Sequence, residues 1–217
     1  NSGEVLLLSM EENGYAHFFL YTPAGDALLR LTSGDWNDIA PALSPDRTQL
    51  AFASDRSGFW DLYVMNLQTG DAAQITNSPE YDSAPSWSPD SQWLVYETYI
   101  NENLEISATS VNDRSQPILP ITQDPASDHS PVWAPDGRHV AFISTRGGDS
   151  DVWLANLDLT GDDRYQNLSN TPLASESHPV WSPDGSRLAW AVNSQNIGRS
   201  GIYVWDAERQ LPAQWIG

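Results

Sequence analysis

A chain of 217 residues with 29 acidic side chains against 10 basic ones, a formal charge of −19, lacks the basic surface that binding to a nucleic-acid backbone requires. All the basic residues are arginine and cysteine is absent, so thiol chemistry and a disulfide framework are excluded, a composition that suits a periplasmic or extracellular protein. No apolar run approaches the roughly 18 residues of a membrane-spanning helix, and the length suits one domain over residues 1–217.

Residues 1–32 hold three short apolar runs, Val5–Leu8, His17–Tyr21 and Leu28–Thr32. Glu11-Glu12-Asn13-Gly14 and Pro23-Ala24-Gly25-Asp26 separate them, and turn residues between apolar runs predict strands. From residue 33 onward one pattern repeats. Pro41-Ala42-Leu43-Ser44-Pro45-Asp46 returns as Pro85-Ser86-Trp87-Ser88-Pro89-Asp90, as Pro131-Val132-Trp133-Ala134-Pro135-Asp136 and as Pro179-Val180-Trp181-Ser182-Pro183-Asp184. The leading prolines are 44, 46 and 48 residues apart (85−41, 131−85, 179−131). Each copy opens on a strand, turns at Pro-Asp, and continues into further strands such as Gln49–Ser54, Asp61–Asn66 and Ala73–Thr76. A period in the forties with strand alternation inside it predicts propeller blades. The expected fold is all-β: a five-bladed propeller of four-stranded antiparallel blades at 33–76, 77–122, 123–170 and 171–217, with 1–32 a first blade lacking its innermost strand. A monomer is expected unless that incomplete blade pairs with another chain.

These residues resemble the repeat of TolB-type, WD40-like propellers, with its P-x-W-S-P-D-G … L-A-F-x-S … D-x-Y-V pattern. The resemblance covers nearly the whole chain. It implies a non-catalytic periplasmic scaffold that docks a protein or peptide. Similar blades occur in gating domains of prolyl-oligopeptidase-like peptidases and in some polysaccharide lyases. The alternatives are therefore a metal-assisted, lyase-like propeller, or an accessory propeller cut from a larger peptidase or sensor.

Blade topology sends the residues before each leading proline to one mouth of the central channel. Asp38, Asp82, Asp128 and Glu176 each stand three residues before their proline. Converging carboxylates cannot all ionise without compensation. Calcium or another divalent cation, which prefers oxygen ligands, is one candidate partner. A basic peptide is a second; a third is that each acid caps amides of its own loop or pairs with an arginine of the neighbouring blade, for which Arg56 and Arg146 are candidates. His129 and His178 lie beside Asp128 and Glu176, a donor set a transition metal could use. Trp36, Phe59, Trp60, Tyr81 and Tyr99 lie in or beside loops of the same face and form a candidate aromatic platform.

Structural roles are expected for the turn acids Asp46, Asp90, Asp136 and Asp184, and for Asp61 and Asp151, which open third strands. Trp87, Trp133 and Trp181, with Leu43 in their place in the first full repeat, are expected in the core. No Gly-x-Ser-x-Gly or His-Glu-x-x-His motif is present, and no catalytic residue is assigned. Asn167-Leu168-Ser169 matches a glycosylation acceptor.

Overall fold

The computed structural model describes residues 5–171, 173–194 and 199–216. The chain divides into two compact units, Asn1–Pro85 and Ser86–Gly217. The first unit opens with β1 (Leu6–Glu12), β2 (Tyr15–Thr22) and β3 (Ala27–Arg30) in one three-stranded sheet. A four-stranded sheet follows: β4 (Asp38–Leu43), β5 (Gln49–Ser54), β6 (Asp61–Asn66) and β7 (Ala72–Gln74). Strand β8 (Asp82–Trp87) straddles the boundary and heads the sheet of β9 (Trp93–Ile100), β10 (Asn103–Ser110) and β11 (Leu119–Pro120). The second unit adds β12 (Asp128–Trp133), β13 (His139–Ser144), β14 (Asp151–Asn156) and β15 (Tyr165–Asn167). It ends with β16 (Ala174–Trp181), β17 (Arg187–Ser194), β18 (Arg199–Asp206) and β19 (Leu211–Ile216). Each sheet is a propeller blade with its strands in chain order, and the first blade has three strands. The described residues contain no α-helix, only short 3-10 turns at Pro23–Gly25 and Gly161–Arg164.

The Ser-Pro-Asp turns show why the repeat folds as it does. Asp46 Oδ1 accepts the Ser44 hydroxyl at 2.6 Å and the Thr48 amide at 3.0 Å. Asp184 repeats this with Ser182 at 2.6 Å and the Ser186 amide at 3.0 Å, and these bonds hold its carboxyl down at about 2. Asp90 accepts Ser88 Oγ at 2.6 Å, whereas Asp136, which follows Ala134, takes the Arg138 amide and His139 Nδ1. The serine oxygen in turn accepts the first amide of the next strand, as in Gln49 N to Ser44 Oγ at 2.9 Å. Local polar bonds thus close the hairpin.

A second regularity sits in the inner strands. The residue before each leading proline has a left-handed φ: Ala40 at 50°, Ala84 at 49°, Ser130 at 54° and His178 at 55°. The strand register slips there, between Ile39 and Ala42, His129 and Val132, and Ser177 and Val180. Proline brings no N–H to the ladder and bars the right-handed helical region to its predecessor, so a bulge forms. Each non-glycine left-handed residue costs about 1–2 kcal/mol, so the surrounding packing must over-determine it.

That packing is aromatic and aliphatic. In the first unit Phe18, Leu50, Phe52, Tyr63 and Met65 form one cluster. In the second, Val95, Ile106, Val140 and Phe142 form another, and Trp133 packs against it half-buried. Trp181 packs in the same way on the cluster around Ile143, Leu188 and Trp190, while Trp87 is fully buried. Leu43 departs from the core expectation and stays 49% exposed. At the equivalent position Trp133 and Trp181 are half-buried and Trp87 is buried, and leucine has less reach than an indole.

Candidate functional site

The strand ends opposite the Pro-Asp turns carry the candidate residues. All of the expected carboxylates are buried: Asp38 and Asp128 at 0% exposure, Glu176 at 1% and Asp82 at 2%. Their surroundings differ. Asp38 Oδ1 accepts Arg56 Nη2 at 2.7 Å, and its Oδ2 lies 3.5 Å from His17 Nδ1. Asp128 Oδ2 accepts Arg146 Nη2 at 2.6 Å, and Asp124 shares that guanidinium. Burial still pushes the Asp128 carboxyl above the usual range, against the pull of Ser144 and Arg146. Asp82 lies 3.4 Å from the Ser78 hydroxyl and donates its amide to Trp60 O at 2.9 Å. Among the described residues, Glu176 has no hydrogen-bond partner on either oxygen. Burial, then Asp151, raise its carboxyl to about 7; the Thr171 hydroxyl pulls it down weakly while donating to Ser169 O. Among the described residues, no group of three or more histidines and carboxylates is placed to hold a metal ion.

Each arginine clamp belongs to the blade of the acid it serves, not to the neighbouring blade. Arg56 follows β5, which pairs with the strand that carries Asp38. Its guanidinium carbon sits 5.1 Å from the Trp36 ring centroid, 5.3 Å from Phe52 and 4.6 Å from Tyr63. Arg146 is held likewise, 5.4 Å from Phe142, 4.8 Å from Trp153 and 4.7 Å from Tyr165. A serine fixes each fork: Arg56 Nε donates to Ser54 Oγ at 2.9 Å and Arg146 Nε to Ser144 Oγ at 2.8 Å. A flat cation between ring faces suits guanidinium and not ammonium.

This arrangement corrects the reading of Trp36 as an open platform residue. It is half-buried over Arg56, and a Cβ added at Gly34 (φ +142°) would lie 2.3 Å from its ring. Trp60 and Tyr81 are also half-buried, whereas Phe59 is 53% and Tyr99 43% exposed. The two histidines have different settings. His129 Nδ1 lies 3.0 Å from Ser130 Oγ, and burial pushes its pKa down against the pull of Glu97. His178 occupies the bulge itself and is exposed.

Several participants were not singled out from the sequence. Glu97 Oε2 accepts the Ser130 amide at 2.9 Å, an N–H that the bulge frees from the ladder. Thr32, Thr76, Thr122 and Ser169 each accept a β2, β6, β10 or β14 amide, from Phe18, Leu62, Ile106 and Val152 at 2.8–3.0 Å. The signal was present: a hydroxyl residue closes each of those repeats, and Ser-x-Arg recurs at Ser54 and Ser144. The Asn167 amide donates to Asp151 Oδ2 at 2.8 Å, so the glycosylation match sits inside a hydrogen-bond network. Asp61 is embedded too, accepting Ser57, Gln74 and the Ser78 amide.

Comparison with known proteins agrees with the propeller fold and the repeat motif. A region of 111 residues is 30% identical to a Bacillus subtilis protein named uncharacterized peptidase YuxL; the match spans 50% of this chain and 16% of that protein. The structure superposes on TolB from Acinetobacter baumannii with a TM-score of 0.79 at 21% identity, covering 93% of this chain and 48% of that one. An oligogalacturonate lyase in complex with manganese superposes with a TM-score of 0.77 at 19% identity, covering 98% of this chain and 61% of the lyase. At these identities the structural likenesses establish the fold. The chain thus spans less than two thirds of each of these three proteins. The model of the TolB beta propeller domain matches residues 1–124 and 61–175, and the chain belongs to that family.

Proposed function

We propose that this chain is a binding propeller, periplasmic or extracellular, that docks a basic protein or peptide and performs no bond chemistry itself. The observation that carries this reading is how the polar residues are spent. Asp38 and Asp128 are committed to Arg56 and Arg146 inside the blades, while Phe59 remains exposed on the same strand-end loops. A carboxylate clamped by a caged guanidinium is a poor general base, because its pull on a proton is already offset. An exposed aromatic beside half-buried Trp60 and Tyr81 fits the compositional bias of protein interfaces. The charge of −19 favours a basic partner and fast, salt-sensitive association.

The test is a peptide array of basic, acidic and neutral sequences, followed by titration of the best binders at two salt concentrations. Basic peptides are expected to bind tightest, and Phe59→Ser is expected to weaken them about tenfold, the scale of one interface aromatic. Equal binding of acidic and basic peptides, or an indifferent Phe59→Ser variant, overturns the reading. A second reading is an accessory propeller of a larger hydrolase, supported by the match to the Bacillus subtilis peptidase.

A further inference from the structure

At the Pro-Asp-turn end of the second unit, away from the buried carboxylates, lies a cavity of about 550 Å³. Its cause is visible in the chain. Strand β11 is only Leu119–Pro120 and pairs with β10 at two positions, Ser107 and Ala108. The outer edge of that blade is therefore short, and the small Ala108 side chain leaves space beneath it. The walls are Trp93, Trp133, Leu119, Pro120 and Leu157, with Arg164 at the edge. Arg164 ends the 3-10 turn Gly161–Arg164, in the connection between β14 and β15.

We propose that this cavity is a binding site for a small, planar, apolar molecule bearing one carboxylate. The volume falls in the range of small-ligand pockets, and the lining has their usual form of apolar walls with few polar groups. Arg164 is the cation in the lining. Its Nε donates to Leu159 O at 2.9 Å and its Nη1 contacts Ile121 O at 3.4 Å, with the Tyr165 hydroxyl also beside it, which fixes the fork at the cavity. Among the described residues no carboxylate forms an ion pair with it, which is notable in a chain of charge −19. The acid in the lining, Asp90, is occupied by Ser88 Oγ at 2.6 Å and the Gln92 amide at 3.1 Å. The ring of Trp133 lines the cavity, so a ligand seated there lies against its indole. Two indoles and a proline ring offer flat faces for a flat ligand.

The probe pair is indole-3-acetate and its neutral amide, titrated by calorimetry and by the ¹H–¹⁵N spectrum of the tryptophan indoles. The acid is expected to bind about tenfold tighter than the amide, the worth of one charge-assisted hydrogen bond. Arg164→Gln should remove that preference, and Leu119→Glu should weaken the acid further. The Trp133 indole signal, assigned through Trp133→Phe, should shift on binding. Equal affinity for acid and amide, an unmoved Trp133 signal, or no binding of either probe at millimolar concentration overturns the proposal. None of these outcomes bears on peptide docking at the opposite strand ends.

Discussion

Asp38, which opens the inner strand of the second blade, and Glu176, which lies in that of the fifth, occupy one repeat position and lead opposite electrostatic lives. Both are buried, at 0% and 1% exposure. Asp38 meets Arg56 at 2.7 Å and lies 3.5 Å from His17. Among the described residues Glu176 has no hydrogen-bond partner, and Asp151 raises it further. The repeat therefore fixes where a carboxylate sits but not whether it is charged. That second property depends on a residue outside the motif: Arg56 and Arg146 stand eighteen positions after their acids, and Ser194 stands at that distance from Glu176 (194−176).

The harshest way to break this contrast is to remove the clamp. Arg146→Met keeps an apolar side chain over Phe142, Trp153 and Tyr165 but strands the Asp128 charge in the interior. Leaving one buried member of an ion pair uncompensated costs about 3–5 kcal/mol. Urea denaturation at pH 7 should show that loss, and adding Asp128→Asn to the variant should recover most of it. A loss below about 1 kcal/mol, the scale of exposed pairs, would mean that Asp128 is not held as an ion.

The next test acts on the other member of the contrast. Glu176 rises from 4.5 to about 7 on folding, so the folded state holds this proton more tightly than the unfolded chain. Its stabilising contribution is full below pH 4.5 and is lost as pH climbs through about 7. Over that window stability should fall by about 1.4 kcal/mol per pH unit, about 3 kcal/mol in all. Glu176→Gln should flatten this part of the profile and be the more stable protein at pH 8. A profile that keeps its slope in the variant would show that Glu176 titrates as an ordinary carboxyl.

How much of this could be read from residues alone follows from the same contrast. The blades, the Pro-Asp turns and the three-stranded start were legible because they depend on local chemistry repeated in register. Asp46 and Asp184 bond their own turns, so their role travels with the motif. The carboxylates at the strand starts were also legible as a set, and so were Arg56 and Arg146 as candidate neutralisers, though each serves its own blade and not the neighbouring one. Their individual fates were not. Those depend on contacts between strands distant in sequence, such as Trp36 lying over Arg56 or Glu97 reaching the Ser130 amide thirty-three residues away. Trp36 read as a platform residue because it lies in a loop of the acidic face. It is half-buried because a guanidinium, itself tied to Asp38, needs a ring face to rest on.

The gentlest test separates cation binding from charge balance. Four acids at one repeat offset invite calcium, and a saturated site would stabilise the folded chain by about 2.7 kcal/mol at one hundred times the dissociation constant. Against this, Asp38 and Asp128 already have guanidinium partners, and Asp151, the acid nearest Glu176 in effect, spends its oxygens on Asn167 and Ser169. That leaves the Glu176 oxygens unspent, far short of the roughly six to eight ligands calcium takes. Calcium and sodium chloride at matched ionic strength are therefore expected to raise the melting temperature alike at pH 7.5, with any difference under about 0.5 kcal/mol, since what remains is screening. A larger gain with calcium would overturn that expectation, and variants would locate its source. Loss of the gain in Glu176→Gln would place the ion at the unclamped acid, and loss only in Asp82→Asn with Asp128→Asn would mean that cation and arginine compete for the same carboxylates.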